Sequence, residues 1–361
     1  MGGYLEIASA RVRYGDVEVL KGIDLAVAKG EFVALLGSSG CGKTTLLRAI
    51  AGFNPLAAGA IRIDGRDVTR LPPDKRGMAL VFQSYALWPH MTVDQNIGYG
   101  LKLRRIPTDV ARARIDEIKR LLGLEAFGAR KPAELSGGQR QRVALGRALA
   151  INPDILLLDE PLSNLDARIR LTVRHEISAL QRRLGITAVH VTHDREEAMV
   201  MADRIVILDG GTIAQIGTPS EVYNQPNSSF VAAFMGAENL VDLDLTVTGD
   251  TIEVAEGPQN RRAVLRRGGR RVESGRAIAR FRNDTIRLSA AGDPRPEDGD
   301  DGLLLRGTVE QVGYPGGIWR HVVHLGGRSV MVDAEERFES GAEVHLRIPG
   351  DRLYVFSDTQ H

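Results

Sequence analysis

The sequence is short of three features that would each indicate a class of protein. It has one cysteine, Cys41, which excludes a disulfide framework within the chain and suits a reducing compartment. Nowhere do 18 consecutive apolar residues occur, and the first residues contain no apolar segment of the signal-peptide type. We therefore expect a protein that is neither exported by a signal peptide nor membrane-spanning, and that meets any membrane by docking.

An excess of one charge is also missing. Lys and Arg total 47 against 46 Asp and Glu, so the formal net charge is +1. Domains that bind nucleic acid are usually strongly basic, and this balance argues against a chain-wide attraction to it. The chain is longer than the ~250 to 300 residues that one hydrophobic core usually reaches, which predicts two or three domains.

The most informative stretch, residues 32–50, reads FVALLGSSGCGKTTLLRAI. An apolar run of strand length leads into glycines and then into apolar residues at helical spacing, which predicts strand, loop and helix. The loop matches G-x-x-x-x-G-K-[ST], a phosphate-binding P-loop whose glycines let backbone N–H groups surround an anion. Lys43 is expected to reach the β- and γ-phosphates and Thr44 to bind Mg²⁺. The nucleotide contacts are predicted at Gly37, Ser38, Ser39, Gly40, Cys41, Gly42, Lys43, Thr44 and Thr45.

Three other apolar runs end on polar residues. Gln83 follows the run at 78–82. Asp159 and Glu160 follow the run at 155–158, and His193 follows the run at 188–192. Open α/β sheets bind ligands at the carboxyl ends of their strands, so these side chains are expected near the P-loop. Asp159 suits a Mg²⁺-holding carboxylate and Glu160 an acceptor for the proton of attacking water, while His193 alone also fits a structural role.

Residues 135–150 predict a second anion site. Ser136 is expected to cap a helix whose first residues, Gly137 and Gly138, present bare N–H groups at its positive end. A second anion site makes sense if it serves the nucleotide of another molecule. In the loop after Gln83, Tyr85, Leu87 and Trp88 fit either core packing or a docking surface.

Together these motifs resemble the ATP-binding cassette subunits of membrane transporters over residues 4 to about 235, with LSGGQ at 135–139 as the distinguishing item. The resemblance implies that Tyr14 stacks on adenine and that Thr44, Gln83 and Asp159 hold Mg²⁺. It implies that Glu160 activates water and that His193 steadies the γ-phosphate. It further implies a head-to-tail homodimer, in which Ser136, Gly137 and Gly138 of each copy complete the ATP site of the other. Gln139 and Asp166 are further expected nucleotide contacts.

The expected fold is therefore an α/β P-loop NTPase cassette over residues 1–236, with a helical subdomain at about 92–150. After residue 236, short β-rich runs separated by Gly and Asp turns replace the helical pattern. Residues 237–361 resemble the all-β, oligonucleotide-binding-like barrel of importer ATPases of the maltose, polyamine, ferric iron and phosphonate type. Where such domains often read R-P-E, this chain has Arg280, Phe281 and Arg282.

Two charge runs flank that point: nine arginines against one acid in residues 261–282, then five acids in residues 293–301. They fit a solvated hairpin face with an acidic loop, or nucleic-acid binding through the barrel. Phe281 is the only aromatic residue in the basic run, where several would be expected as stacking platforms.

The resemblance implies the ATPase subunit of a bacterial importer, peripheral at the cytoplasmic face of the inner membrane. Its expected partners are a second copy, two membrane-spanning permease subunits and, indirectly, a substrate-binding protein, with no nucleic acid. The segment GAENLV after Met235 favours polyamine, iron or phosphonate relatives over maltodextrin ones. The alternatives are a soluble cassette ATPase acting on nucleic acid and a ligand-regulated switch.

Overall fold

The computed structural model describes residues 3–267, 272–291 and 302–358. Of residues 167 and 168 it describes the backbone only. The chain divides into two compact units after Glu221. This division lies inside a short helix, upstream of the predicted boundary after residue 236. Five of the acids in the charge runs, at 293–301, lie outside the described residues.

The first unit alternates strands and helices over its described length. Its strands are β1 (Leu5–Tyr14), β2 (Val17–Val27), β3 (Phe32–Gly37), β4 (Ala58–Ile63), β5 (Arg66–Asp67), β6 (Met78–Val81), β7 (Ile155–Asp159), β8 (Thr187–Val191), β9 (Arg204–Asp209) and β10 (Thr212–Gly217). Its helices are α1 (Lys43–Ala51), α2 (Val93–Leu103), α3 (Thr108–Leu122), α4 (Gly137–Ala150), α5 (Ala167–Leu184) and α6 (Arg195–Met201). The helix α7 (Pro219–Asn224) spans the division, and α8 (Ser229–Phe234) follows it.

These strands form two sheets. An antiparallel sheet has the order β2-β1-β4-β5, and a mixed sheet has the order β10-β9-β3-β8-β7-β6, in which the pairs of β3, β6, β7, β8 and β9 are parallel. Strands β3, β7 and β8 are buried along their whole length because their alternate residues pack into two different apolar clusters, one with α1 and the antiparallel sheet and one with α2 to α5. This explains their continuous apolar sequences. The predicted α/β fold is confirmed, and β4 and β5 form a hairpin with its turn at Asp64 and Gly65.

The predicted helical segment at 92–150 contains α2, α3 and α4 within the described residues. Pro107 precedes α3 and Gly123 ends it in a left-handed conformation, as their positions in the sequence indicate. Thr92 and Ser136 each cap a helix, and in both cases the side chain three residues later, Gln95 or Gln139, bonds back to the capping residue. Such reciprocal caps fix where each helix begins.

One buried arginine anchors the helix that follows the P-loop. The guanidinium of Arg76 is 5 % exposed and donates to the carbonyl oxygens of Ala49 and Ile50 at the end of α1, at 2.9 and 2.8 Å. It also donates to the carbonyls of Thr69 and Leu71, at 2.9 and 2.8 Å. One side chain thereby pairs with four backbone carbonyls, of which that of Ala49 also accepts from the N–H of Gly52 at 3.1 Å.

The second unit is all β after its short helices, within the described residues. One sheet contains β11 (Asn239–Thr248), β12 (Thr251–Val254), β13 (Ala263–Arg266), β14 (Gly275–Phe281) and β20 (Tyr354–Ser357). The other contains β15 (Arg287–Ala290), β16 (Gly302–Gly313), β17 (Trp319–His324), β18 (Ser329–Ala334) and β19 (Glu343–Pro349). One apolar cluster, with Phe281 fully buried in it, draws residues from both sheets.

Three arginines of the basic run are used inside this unit. Arg262 pairs with Glu253 at 2.8 Å, and Arg280 donates to Ser229 at 2.7 Å. Arg282 is 4 % exposed, lies over the ring of Tyr223 and bonds to the Tyr223 carbonyl and the Tyr354 hydroxyl. These contacts favour the structural interpretation of the run over a nucleic-acid surface.

Among the described residues, no helix combines the length and the apolar character that a membrane crossing requires.

Replacing Arg76 with Met should lower the free energy of unfolding of the first unit by at least about 2 kcal/mol, because four backbone carbonyls lose a donor, two of them in buried hydrogen bonds. Urea denaturation in a Trp319→Phe background measures this, since Trp88 is then the remaining tryptophan and lies in the first unit. Arg70→Met, at an exposed position, is the control and should change the value by less than about 0.5 kcal/mol. Equal effects of both variants would contradict the anchoring role.

Candidate nucleotide and metal site

The P-loop, residues 37–44, connects β3 directly to α1. A Cβ atom at Gly37 would lie 2.4 Å from the carbonyl oxygen of Leu208, so no other residue fits there without movement of the backbone. Gly42 has a φ of 104° and caps α1 in a left-handed conformation, where a Cβ would meet Leu20 at 2.7 Å. The two glycines of the P-loop motif are therefore required because a side chain at either position would collide with a neighbouring residue.

Lys43 is the first residue of α1 and is 6 % exposed. Its ammonium group donates to the carbonyl oxygens of Gly37 and Ser38, at 2.8 and 2.7 Å, and lies 3.7 Å from the sulfur of Cys41. The cation is therefore held inside the curve of the P-loop, beside the backbone that the sequence predicts to bind phosphate. Cys41 is a free thiol and is buried, so its side chain fills space within the P-loop.

Asp159 and Thr44 form the pair expected of a metal site. The Thr44 hydroxyl donates to the Asp159 carboxylate at 3.2 Å, and Arg48 approaches the other carboxylate oxygen at 3.9 Å. Burial raises the pKa of Asp159, although the Thr44 hydrogen bond and the charge of Arg48 oppose the shift. A desolvated carboxylate beside a hydroxyl is a donor set that Mg²⁺ prefers, because both ligands are hard oxygens.

Glu160 follows β7 with a φ of 44°, a left-handed conformation that a side chain with a Cβ rarely adopts. The turn separates the two acids, since Asp159 faces Thr44 while the Glu160 carboxylate lies 3.3 Å from Nδ1 of His193 and 3.2 Å from the amide nitrogen of Gln83. Backbone strain of this kind costs about 1 to 3 kcal/mol and is concentrated at functional sites.

The segment before α5 connects to the same carboxylate. Ser163 accepts a hydrogen bond from Gln83 at 3.2 Å and donates to the backbone oxygen of Glu160 at 2.9 Å, and Asn164 donates to the backbone oxygen of Gln83 at 2.8 Å. Asp166 caps α5 by accepting from the N–H of Ile169 at 3.0 Å. Asp166 thus has a structural role as the N-cap of α5, which its sequence position alone did not predict. Its nucleotide contact stays a prediction.

The signature segment, residues 135–139, lies at the start of α4. Ser136 is exposed and its hydroxyl accepts from the N–H of Gln139 at 3.3 Å. Gly137 and Gly138 pack against Leu165 and Ile169, where a Cβ would lie at 3.1 and 3.2 Å. Among the described residues, no hydrogen bond joins this segment to the P-loop or to the acids after β7.

Two predicted contacts lie at the edges of the site. Tyr14 ends β1 and is 52 % exposed, so its ring is accessible for stacking. Thr45 is partly buried in α1, and its carbonyl accepts from Asn54 at 3.4 Å. Ser38, Ser39 and Gly40 are exposed along the turn of the P-loop.

The loop after Gln83, residues 83–88, is held by α4. Arg147 donates to the carbonyls of Tyr85 and Ala86, at 2.8 and 2.6 Å, and stacks over the ring of Trp88 with 4.8 Å to its centroid. Tyr85 and Ala86 are both left-handed, with φ of 62° and 46°. Tyr85 is 6 % exposed and belongs to the core, whereas Trp88 is half-buried and lies against Tyr99.

Sequence reasoning missed Arg48, Asn164 and Arg147 as parts of this site. Arg48 lies one turn after Thr44 on α1, so helical periodicity would place it on the same face as Thr44. Asn164 lies in the loop that ends at Asp166, before α5. Arg147 contacts residues more than 60 positions away, and no local pattern indicates that contact.

Comparison with protein families finds two matches. The model described as "ABC transporter" matches residues 20–163, and the model described as "TOBE domain" matches residues 282–356. The first match contains the P-loop, Gln83, the signature segment and both acids after β7.

Curated relatives match over most of their length. A protein of Rhizobium johnstonii named as the sn-glycerol-3-phosphate import ATP-binding protein UgpC 1 is 47 % identical over 291 residues, 80 % of this chain and 78 % of that one. The sulfoquinovosyl glycerol transport ATP-binding protein SmoE of Agrobacterium fabrum is 50 % identical over 253 residues, 70 % and 71 % of the two chains. The diacetylchitobiose uptake system ATP-binding protein MsiK of Streptomyces coelicolor is 43 % identical over 352 residues, 94 % and 92 %.

A solved structure is similar to the fold. The structure of cbiO1 from Clostridium perfringens, described as part of the ABC transporter complex cbiONQ, aligns with a TM-score of 0.59 at 28 % identity. The alignment covers 62 % of this chain and 92 % of that chain.

Replacing Asp159 with Asn should raise the thermal midpoint at pH 7 in the absence of nucleotide and magnesium. Because burial holds the pKa of Asp159 above its usual value, the protonated form is favoured in the native state, and that stability is lost as the pH rises through the folded pKa. Asn keeps the shape without the charge, so its advantage should shrink as the pH falls toward the unfolded value of about 3.9.

Asp154→Asn, an exposed acid at the other end of β7, is the matched control and should not raise the midpoint. Adding Mg²⁺ and ATP should reverse the order of Asp159→Asn and the parent, because binding to the native state stabilises the parent more. A midpoint below that of the parent at pH 7 without ligands would contradict the prediction.

Proposed function

Because the chain belongs to the ABC transporter family, as an ATP-binding protein, we propose that it hydrolyses ATP to power uptake of a solute through a membrane importer. The observation that carries the proposal is the meeting of two sets of groups at one edge of the parallel sheet. Lys43, Thr44 and Asp159 lie on the P-loop side, and the Glu160 carboxylate lies between Gln83 and His193. The first set suits phosphate and cation binding, and the second suits proton transfer from water.

The proposed roles follow from those positions. The P-loop amides, Lys43 and the N-terminus of α1 bind the β- and γ-phosphates, and Tyr14 stacks on adenine. Glu160 accepts the proton of the attacking water, while Gln83 and His193 hold its carboxylate in place. The left-handed turn at Glu160 keeps this acid away from the buried pair of Asp159 and Thr44.

The oxygen ligands proposed for Mg²⁺ are those of Thr44, Asp159 and Gln83. The first two are 3.2 Å apart, and the amide nitrogen of Gln83 donates to Glu160, which leaves its carbonyl oxygen as the possible ligand. A bound Mg²⁺ would neutralise charge on the transferring phosphoryl group. It would also offset the desolvation of the buried Asp159 carboxylate, which is the cause of the raised pKa of this group.

We propose that two copies pair head to tail, so that Ser136, Gly137, Gly138 and Gln139 of each copy reach the γ-phosphate of the other. The support is the exposed Ser136 at the positive end of a 14-residue helix, with no bond from this segment to the P-loop of its own chain among the described residues. Closure on ATP and reopening after hydrolysis would follow from the presence and loss of the γ-phosphate charge.

The remaining partners are proposed from the relatives. Two membrane-spanning permease subunits, served by a substrate-binding protein, would dock at the cytoplasmic face of the membrane, with half-buried Trp88 as an apolar contact. The three relatives are named for glycerol phosphate, sulfoquinovosyl glycerol and diacetylchitobiose. We therefore propose a glycerol- or sugar-containing solute in place of the polyamine, iron or phosphonate class that the segment after Met235 favoured.

Replacing Glu160 with Gln tests the function most directly. Gln keeps the shape and can still bond to His193, but it no longer accepts a proton, so hydrolysis of MgATP should fall by ~10² to 10⁴ while ATP affinity is kept. Because the γ-phosphate then persists, the variant should accumulate as an ATP-bound dimer in size-exclusion chromatography. Glu125→Gln, an exposed acid in the helical segment, is the control and should keep the parental rate and elution.

Hydrolysis by Glu160→Gln at the parental rate would show that this acid is not the base. A variant that binds ATP and stops hydrolysis but stays monomeric would show that the signature segment does not act on a second copy.

A further inference from the structure

The histidine of the proposed site depends on its backbone for its position. The side chain of His193 is 62 % exposed, and the Glu160 carboxylate lies 3.3 Å from its Nδ1. Exposed side chains change rotamer on picosecond to nanosecond timescales. The direction of the imidazole is therefore set mainly by the backbone turn between β8 and α6 that carries it.

A hydrogen bond closes this turn across His193. The Thr192 hydroxyl accepts from the N–H of Asp194 at 3.0 Å, so the two residues that flank the histidine are joined. The Asp194 carboxylate accepts from two N–H groups at the start of α6, at 2.8 and 3.1 Å. Arg174 of α5 donates to the same carboxylate at 3.0 Å. The turn is therefore fixed relative to two helices.

The Thr192 hydroxyl can accept in this direction only while its own proton points elsewhere. A hydroxyl has one donor and two acceptor lone pairs, and it rotates to suit its neighbours. The carboxylate of Glu197, in the first turn of α6, accepts the Thr192 proton at 2.7 Å. Both residues are buried, so solvent does not readily replace either partner. Glu197 thereby turns a lone pair of Thr192 toward the Asp194 N–H.

Glu197 is in turn held against β8. Nε2 of the fully buried His190 lies 3.4 Å from the Glu197 oxygen that accepts from Thr192. Burial raises the pKa of Glu197, but the contacts with His190 and Thr192 lower it by more, so its pKa lies below the ordinary value. The group is therefore an anion near neutral pH. An ionised carboxylate only accepts hydrogen bonds, which leaves Thr192 as the donor.

We infer that Glu197 is a positioning residue that acts on His193 through the Thr192 hydroxyl. The inference rests on the proposed function, in which His193 holds the Glu160 carboxylate in place for proton transfer. Without the Glu197 carboxylate, the Thr192 proton would turn toward the Asp194 N–H, and the turn would lose the bond that closes it. The imidazole would then move away from Glu160, and a displacement of about 1 Å can cost ~10²-fold in rate.

Glu197→Met and Glu197→Gln form a matched pair of variants. Both side chains are unbranched and similar in length, but only Gln keeps a strong oxygen acceptor for the Thr192 proton. In steady-state hydrolysis of MgATP by the full chain, Glu197→Met should lower kcat by about tenfold to a hundredfold and leave the KM for ATP nearly unchanged. Glu197→Gln should keep most of the parental kcat.

Two further variants separate positioning from stability. Thr192→Val should lower kcat as Glu197→Met does, and the double variant should be no slower than either, because both residues act through one hydrogen bond. Met201→Ala removes buried packing from the same helix, so it should lower the thermal midpoint and keep the parental kcat.

A second measurement reports the contact without catalysis. The full chain is labelled with ¹⁵N in its imidazole groups, and the His193 signals are identified as those missing from His193→Asn. Glu160→Gln should shift these signals in the parent, because the two side chains are 3.3 Å apart. The same change should shift them much less in the Glu197→Met background.

The inference alone is overturned if His193→Asn loses hydrolysis but Glu197→Met keeps the parental rate. It is also overturned if Glu197→Met and Glu197→Gln lose kcat equally, or if Glu160→Gln shifts the His193 signals equally in both backgrounds. Parental hydrolysis by His193→Asn would contradict the role of His193 in the proposed function and remove the inference with it. If Glu197→Met fails to fold, parental kcat and parental His193 signals in Thr192→Val overturn the inference.

Discussion

The alignment of the parallel strands is the constraint on which the candidate site depends. Asp159 is paired with Val191, and Leu35 is paired with the same residue on the other side of β8. The acids after β7, the histidine after β8 and the P-loop after β3 therefore leave the sheet at the same level. A slip of one residue in β7 would turn Asp159 to the opposite face of the sheet and separate it from Thr44.

Much of the fold could be predicted from the sequence, because its signals are local. The helix after the P-loop follows from apolar spacing, and the start of α4 follows from the capping residue Ser136. The buried strands follow from apolar runs that end at polar residues. The hydrogen bond between Gln83 and Glu160 joins positions 77 apart, and only the assembled sheet determines it. The interpretation of Tyr85 as core rather than surface also required the fold, since an apolar residue in a loop is compatible with both.

Arginines that donate to backbone carbonyls recur in both units. Arg76 pairs with four carbonyls, Arg147 with two and the Trp88 ring, and Arg282 with two carbonyls and two tyrosine rings. Burial lowers the pKa of Arg76 and of Arg147, but a guanidinium group has such a high intrinsic pKa that it stays protonated. Its planar array of donors reaches several carbonyls at once, which the single ammonium of lysine does not. This explains how backbone carbonyl oxygens hold these cations in place.

The left-handed backbone at Tyr85 and Ala86 makes the loop after Gln83 depend on a helix that is distant in the sequence. Each left-handed residue costs about 1 to 2 kcal/mol, and the two hydrogen bonds from Arg147 offset part of this cost. Arg147 belongs to α4, the helix that begins in the signature segment, and its guanidinium also lies over the ring of Trp88. The position of Trp88 is therefore tied to the helix that carries the signature segment.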